Sequence, residues 1–282
     1  VLGTLHGAWS VGAALTATFT GWLMAINLDF KIQMIIVPVF CLIVFQIAGS
    51  KLLTHEEEKG GAEAKAGKKV SWLKSPTYLW LLAIGLFAGM WPELVVMDWS
   101  ALFVRKIYGN EYTSLAGVPY AVLGAAMVIG RFSIGTLTKR WHLATLAKWG
   151  GIFGSIAMGI GVLGSLVPGG FVIQCIFFGL AGFGLAPQVP SSYSAAGNVR
   201  GLSTAQALSR ISLVNALVVM IAKVFMGSLS QGFGLQWAFL FPITMYFIAG
   251  LVSGVVANHS KRQAKEDATA YPPTGPISSI DA

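Results

Sequence analysis

Charged side chains are scarce in this chain. They make up 11% of its 282 residues, against about a quarter in soluble domains. Nineteen Lys and Arg with eleven Asp and Glu cannot coat a water-facing surface of this size. That excludes ordinary soluble enzymes, disordered proteins and disulfide-rich secreted domains. Cysteine is nearly absent. Cys41 and Cys175 both lie in apolar runs, as small buried hydrophobes do, so no disulfide framework is expected. Metal and nucleotide chemistry are missing too. The run His55-Glu56-Glu57-Glu58-Lys59 has Lys59 where a zinc helix needs its second histidine. The four histidines (His6, His55, His142 and His259) have no ligand spacing. Gly61 to Lys69 lacks the spacing and hydroxyl of a phosphate loop. No G-x-S-x-G nucleophile motif occurs. We therefore expect no metal, no cofactor, no ATP-driven pump and no enzyme.

What remains is apolar: 55% hydrophobic residues with a mean hydropathy of +0.70. A bilayer span needs about 20 mostly apolar residues. Eight stretches qualify, over 5–26, 32–50, 77–97, 115–137, 147–167, 170–190, 211–230 and 238–257. The gaps between them alternate in charge. One side collects fourteen of the nineteen cations: Lys51, Lys59, Lys65, Lys68, Lys69 and Lys74, then Lys139, Arg140 and Lys148, then Arg200 and Arg210, then Lys261, Arg262 and Lys265. The other side has Lys31, Arg105 and Lys106, while Arg131 and Lys223 fall inside spans. By the positive-inside rule the long loop and the C-terminus are cytoplasmic. The formal charge of +8 thus reflects topology and calls for no nucleic acid. Segment 51–76 reads as a solvated linker, and the tail 258–282 as disordered. Val1 opens the chain and a span follows within five residues, so we expect the sequence to be the back part of a longer protein.

Two spans, a long charged loop and six spans are arranged like helices 5 to 12 of a major facilitator superfamily transporter. Gly130 to Arg140 (G-R-F-S-I-G-T-L-T-K-R) resembles the second-half copy of the family's G-x-L-x-D-R loop signature, starting at Gly135 and ending at Arg140, with Lys139 in the acidic place. Glu93 to Phe103 (E-L-V-V-M-D-W-S-A-L-F) resembles the stretch that ends helix 7 in the fucose-permease-like branch. Leu5-His6-Gly7-Ala8-Trp9-Ser10 followed by Gly12 resembles the opening of helix 5 there. The resemblance implies an all-α polytopic membrane protein of eight transmembrane helices with a partial major facilitator fold. Residues 1–50 would be the last two helices of the N-terminal bundle, 51–76 the central linker, and 77–257 a complete six-helix C-terminal bundle. It also implies alternating access around a midplane site. The equivalents of helices 6, 9 and 12 should face lipid, and spans 32–50, 147–167 and 238–257 do lack interior charge apart from Lys148 at an edge.

Interior polar residues are the candidates for a solute or proton pathway. Glu93 follows Pro92, which breaks or kinks helices. Desolvation favours the neutral form of a carboxylate, the property a proton-coupled carrier uses. Glu93 could equally cap Trp91 and Trp99 at the outer interface. Lys223 either snorkels outward or pairs with Glu93. Asn215, eight residues earlier, shares a broad face with it and would serve a sugar hydroxyl or a neighbouring helix. Gln174 and Gln188 fall on one stripe of span 170–190, as substrate contacts or as helix glue. His6 is a structural group or a proton relay. Arg131 is expected to latch the cytoplasmic side rather than to bind solute. Asp98 and Trp99 are expected at the outer interface, where Trp99 is a belt anchor or a sugar-stacking surface. Gly135 and Arg140 belong to the gating loop. Gly3/Gly7, Gly150/Gly154 and Gly250/Gly254 allow close helix approach.

The expected function is secondary active transport of a small polar solute, a sugar being the first choice, with proton coupling. The expected setting is the cytoplasmic (inner or plasma) membrane, with lipid and solute as partners and a monomeric full-length protein. A transporter-like sensor or scaffold and a polytopic membrane enzyme are the rivals.

Overall fold

A computed structural model of the chain describes residues 28–49 and 71–270, with isolated positions before residue 28. Among the described residues nine α-helices follow in order: α1 (Phe30–Gly49), α2 (Thr77–Ile107), α3 (Val118–Leu137), α4 (Leu143–Leu163), α5 (Gly170–Leu185), α6 (Gln188–Gly197), α7 (Thr204–Gly232), α8 (Leu235–Ala238) and α9 (Leu240–Ala270). No strand occurs among the described residues. Among the described residues seven segments are long and apolar enough to cross a bilayer, α5 and α6 together making one. The fold is all-α and polytopic, as expected. The span expected over 5–26 and the loop 51–70 lie outside the described residues.

Local chemistry sets the boundaries. Proline in the first turn of α3 lacks an N–H that the helix would leave unpaired anyway. The His142 side chain caps α4 by accepting from the Ala144 N–H. Ser203 and Gln206 form a reciprocal capping box that opens α7. Arg105 and Lys106 close the last turn of α2, where the helix dipole favours cations.

Several helices run past the expected spans. Helix α2 continues to Ile107 rather than 97, carrying Asp98 within it. Helix α7 starts at Thr204, seven residues before the apolar run, on its capping box. Helix α9 continues to Ala270, so the first part of the tail expected to be disordered is helical; Lys261, Arg262 and Lys265 are helix formers and nothing there breaks the pattern.

Helix α2 is the central post. It packs against α9, α7 and α6 and buries Trp91, Phe103, Leu79, Leu82 and Leu86 almost completely. Helix α4 is clasped between α5 and α9. Adjacent glycines make this possible: a Cβ on Gly150 would strike the backbone of Gly184 in α5, and one on Gly151 would strike Gly250 in α9. The Tyr246 hydroxyl donates to the Ala181 carbonyl at 2.7 Å, tying α9 to α5. The outward faces remain oily. Phe153, Ile156 and Ile160 of α4, Leu251 and Val255 of α9, and Leu217, Met220 and Ile221 of α7 are all exposed. In water such a surface would drive aggregation; in hydrocarbon it costs nothing. Helix α1 is exposed along nearly its whole length, Ile35, Leu42 and Phe45 included.

Candidate functional site

Two ion pairs cross the middle and outer half of the bundle, and both take their acid from α2. Glu93 Oε2 accepts from Arg131 of α3 at 3.2 Å, with side chains only 5% and 2% exposed. Lys223 Nζ of α7 reaches Asp98 Oδ2 at 2.7 Å, with the lysine side chain 47% exposed and the aspartate 29%.

Helix arithmetic explains these partners. Helices α2 and α3 are joined by a short turn (Asn110–Leu115), at the end expected outside from the charge distribution, hereafter the outer end. Glu93 lies 14 residues below the end of α2 and Arg131 lies 13 below the start of α3. At about 1.5 Å per residue both sit about 20 Å down. Asp98 and Lys223 each lie nine residues below the outer ends of α2 and α7, about 13 Å down. Five residues of helix separate Glu93 from Asp98, about 140° of rotation. One acid therefore faces α3 and the other faces α7.

Three expectations are corrected here. Glu93 does not pair with Lys223, because Arg131 occupies its depth and its face while Lys223 sits level with Asp98. Arg131 holds a buried carboxylate, a partner that the expected cytoplasmic latch on carbonyls or loop groups did not include. Asp98 and Trp99 do not lie beyond the end of their helix, since α2 continues nine residues past Asp98.

Other candidates surround the pairs at different depths. Asn215 is buried, and its amide contacts Met90 Sδ at 3.4 Å, one turn from Glu93. Its Oδ1 has no hydrogen-bond partner among the described residues, and neither do Glu93 Oε1 and Trp91 Nε1. Gln174 is fully buried near the outer end of α5, with both amide atoms unpartnered among the described residues. Native cores leave few such groups, because each costs about 1–3 kcal/mol. Gln188 has a different job. Its Nε2 donates to the Ala147 carbonyl at 2.7 Å, bracing α6 to α4, and Gly89 of α2 lets its stem pass closely. The stripe shared with Gln174 does not exist, because the span breaks at Ala186-Pro187 and Gln188 opens a new helix. Trp99 is half-buried beside Gly227 of α7. Tyr120, which sequence reasoning missed, lies within electrostatic reach of Glu93, Arg131 and Asp98. It is eleven residues from Arg131, close to the same face of α3, and that spacing was the available signal. Gly135 and Arg140 lie at the basic end: Gly135 in the last turn of α3, with its carbonyl taking the Thr138 hydroxyl, and Arg140 exposed in the turn before α4. His6 lies outside the described residues. No group of three or more His, Cys, Asp or Glu that would hold a metal occurs among the described residues.

Comparison with known proteins points one way. The sequence profile of the Major Facilitator Superfamily matches residues 1–203. An uncharacterized transporter of Sinorhizobium fredii is 26% identical over 268 residues, 91% of this chain and 64% of that protein. An uncharacterized MFS-type transporter of Yersinia pestis is 26% identical over 237 residues, 83% of this chain and 58% of its own length. The chain thus spans about three fifths of the relatives it matches.

Proposed function

The chain belongs to the major facilitator superfamily, and from that premise we propose that it is the solute- and proton-handling part of a secondary transporter. The family and its transporter-named relatives point to carriage rather than to enzymatic chemistry. The observation that supports the proton role best is the buried Glu93–Arg131 pair at the middle of α2. One carboxylate oxygen is held by the guanidinium, and the other has no partner among the described residues. Protonation at that second oxygen would discharge Glu93 and weaken its hold on Arg131. A charge that appears and disappears at a helix–helix contact is a means of biasing two arrangements of the bundles.

In this reading the solute is small and polar, a sugar in the first instance, as in the fucose-permease-like branch. Asp98, Lys223 and Trp99 stand about one and a half turns outward of Glu93 and would offer a carboxylate, an ammonium and a stacking face. Asn215 and Gln174 would contribute amides, and Gly135 and Arg140 would act in the gating loop. The protein would be a proton symporter of the inner membrane, monomeric when full length, with its C-terminus cytoplasmic.

Uptake of a sugar panel by the full-length protein in proteoliposomes, with and without an imposed pH gradient, tests this. Glu93→Gln keeps an acceptor for Arg131 but removes the titration. It should bind solute and lose the pH-gradient dependence of uptake. Full pH-driven accumulation by Glu93→Gln would exclude the proton role.

A further inference from the structure

A sizeable apolar cavity lies away from the ion pairs. A groove of about 610 Å³ runs between α3, α4 and α5, lined by Trp141, Thr145, Trp149, Phe153, Ile160 and Leu180 among others. Its walls are almost wholly apolar, and Trp141, Trp149, Phe153 and Leu180 are exposed. The close approach of α4 to α5 at Gly150 and Gly184 removes the side chains that would fill it. From Thr145 to Ile160 it extends about 22 Å along α4, more than the ~15 Å depth of one leaflet's hydrocarbon.

Cations neighbour the tryptophans of the groove in sequence. Trp141 is preceded directly by Lys139 and Arg140, both exposed and without a carboxylate partner among the described residues. Lys148 Nζ lies 4.9 Å from the centroid of the Trp149 ring, and its stem packs near Gly254 of α9. No acid is near in sequence: from Tyr112 to Lys265 the chain contains not one Asp or Glu. Three cations therefore adjoin the tryptophans that line the apolar trench: Lys139 and Arg140 precede Trp141, and Lys148 precedes Trp149.

We propose that this groove is a binding site for one anionic phospholipid of the leaflet facing Lys139 and Arg140. An acyl chain lies along α4 between Trp149 and Leu180, and the phosphate sits among Lys139, Arg140 and Lys148. Anionic lipid is enriched in the cytoplasmic leaflet, and basic pockets between helices recognise such headgroups. The assignment uses the orientation given by the charge distribution but does not depend on transport. Free phosphate does not qualify as the occupant, because it would leave the trench unfilled.

The test is native mass spectrometry of the full chain in detergent, titrated in parallel with phosphatidylglycerol and phosphatidylcholine. One phosphatidylglycerol should be retained preferentially over phosphatidylcholine. Each charge removed, in Lys139→Gln, Arg140→Gln and Lys148→Gln, should lower that preference roughly fivefold. Leu180→Trp, which narrows the trench without touching charge, should lower retention of both lipids. Equal retention of the two lipids by the unmodified chain would overturn the proposal. So would a preference indifferent to the three charge removals, and so would normal retention by Leu180→Trp, which would place the lipid elsewhere. Inorganic phosphate that competes fully would show headgroup recognition alone and would contradict an occupied trench. Lipid retention by a protein that moves no solute would leave this assignment standing while the transport reading fell.

Discussion

The two ion pairs of the bundle share one donor helix and have the same net charge, yet they are physically different objects. Glu93 and Arg131 are almost completely buried. Asp98 and Lys223 are shorter in contact but half open. Burial raises both the cost of separating two charges and the cost of having them at all. The first pair is thus held by its surroundings and is consequential when altered. The second can open and close cheaply, as a group that meets a solute must. A short distance does not identify the stronger interaction; the medium around it does.

Breaking the buried pair should give the largest effect. Glu93→Leu leaves a permanently charged guanidinium without its carboxylate, because arginine does not give up its proton. Thermal unfolding in detergent should show a loss of about 3–5 kcal/mol. Arg131→Met should cost less, because the abandoned carboxylate can take up a proton. The double replacement Glu93→Leu with Arg131→Met should be milder than Glu93→Leu alone, since it removes both charges together. At the half-open pair, Lys223→Met should change stability by about 0–1 kcal/mol. Raising salt from low to molar concentration should mimic part of that change by screening, while leaving the buried pair nearly untouched. The most exposed pair, Arg200–Glu266 at 3.4 Å, is the baseline: replacing Glu266 by Gln should be undetectable in the same melt.

These contrasts also show what the residue order reveals. The medium was legible at once, because 55% hydrophobic residues and alternating gap charge admit only a bilayer. The family was legible in the loop from Gly130 to Arg140 and in the stretch from Glu93 to Phe103. The polar residues of the interior were legible as well, since hydrocarbon makes each one conspicuous. Their partners were not. Asp98 looked like the end of a span because a charge beside Trp99 resembles an interface. The helix continues past it to Ile107, and its partner Lys223 lies more than a hundred residues later. Depth counted from misplaced cytoplasmic ends set Lys223 opposite Glu93; counted from the outer ends, it matches Asp98. Gln188 was misassigned for a related reason, as a helix break at Pro187 resets the face that periodicity would assign.

The account stands on Glu93 being coupled to Arg131 and not to Lys223. Two double-mutant cycles in one stability assay decide this directly, one with Glu93→Gln and Arg131→Met, the other with Glu93→Gln and Lys223→Met. We predict an interaction energy above about 1 kcal/mol for the first cycle and additivity within about 0.5 kcal/mol for the second. Additivity at Arg131 together with strong coupling at Lys223 would contradict it.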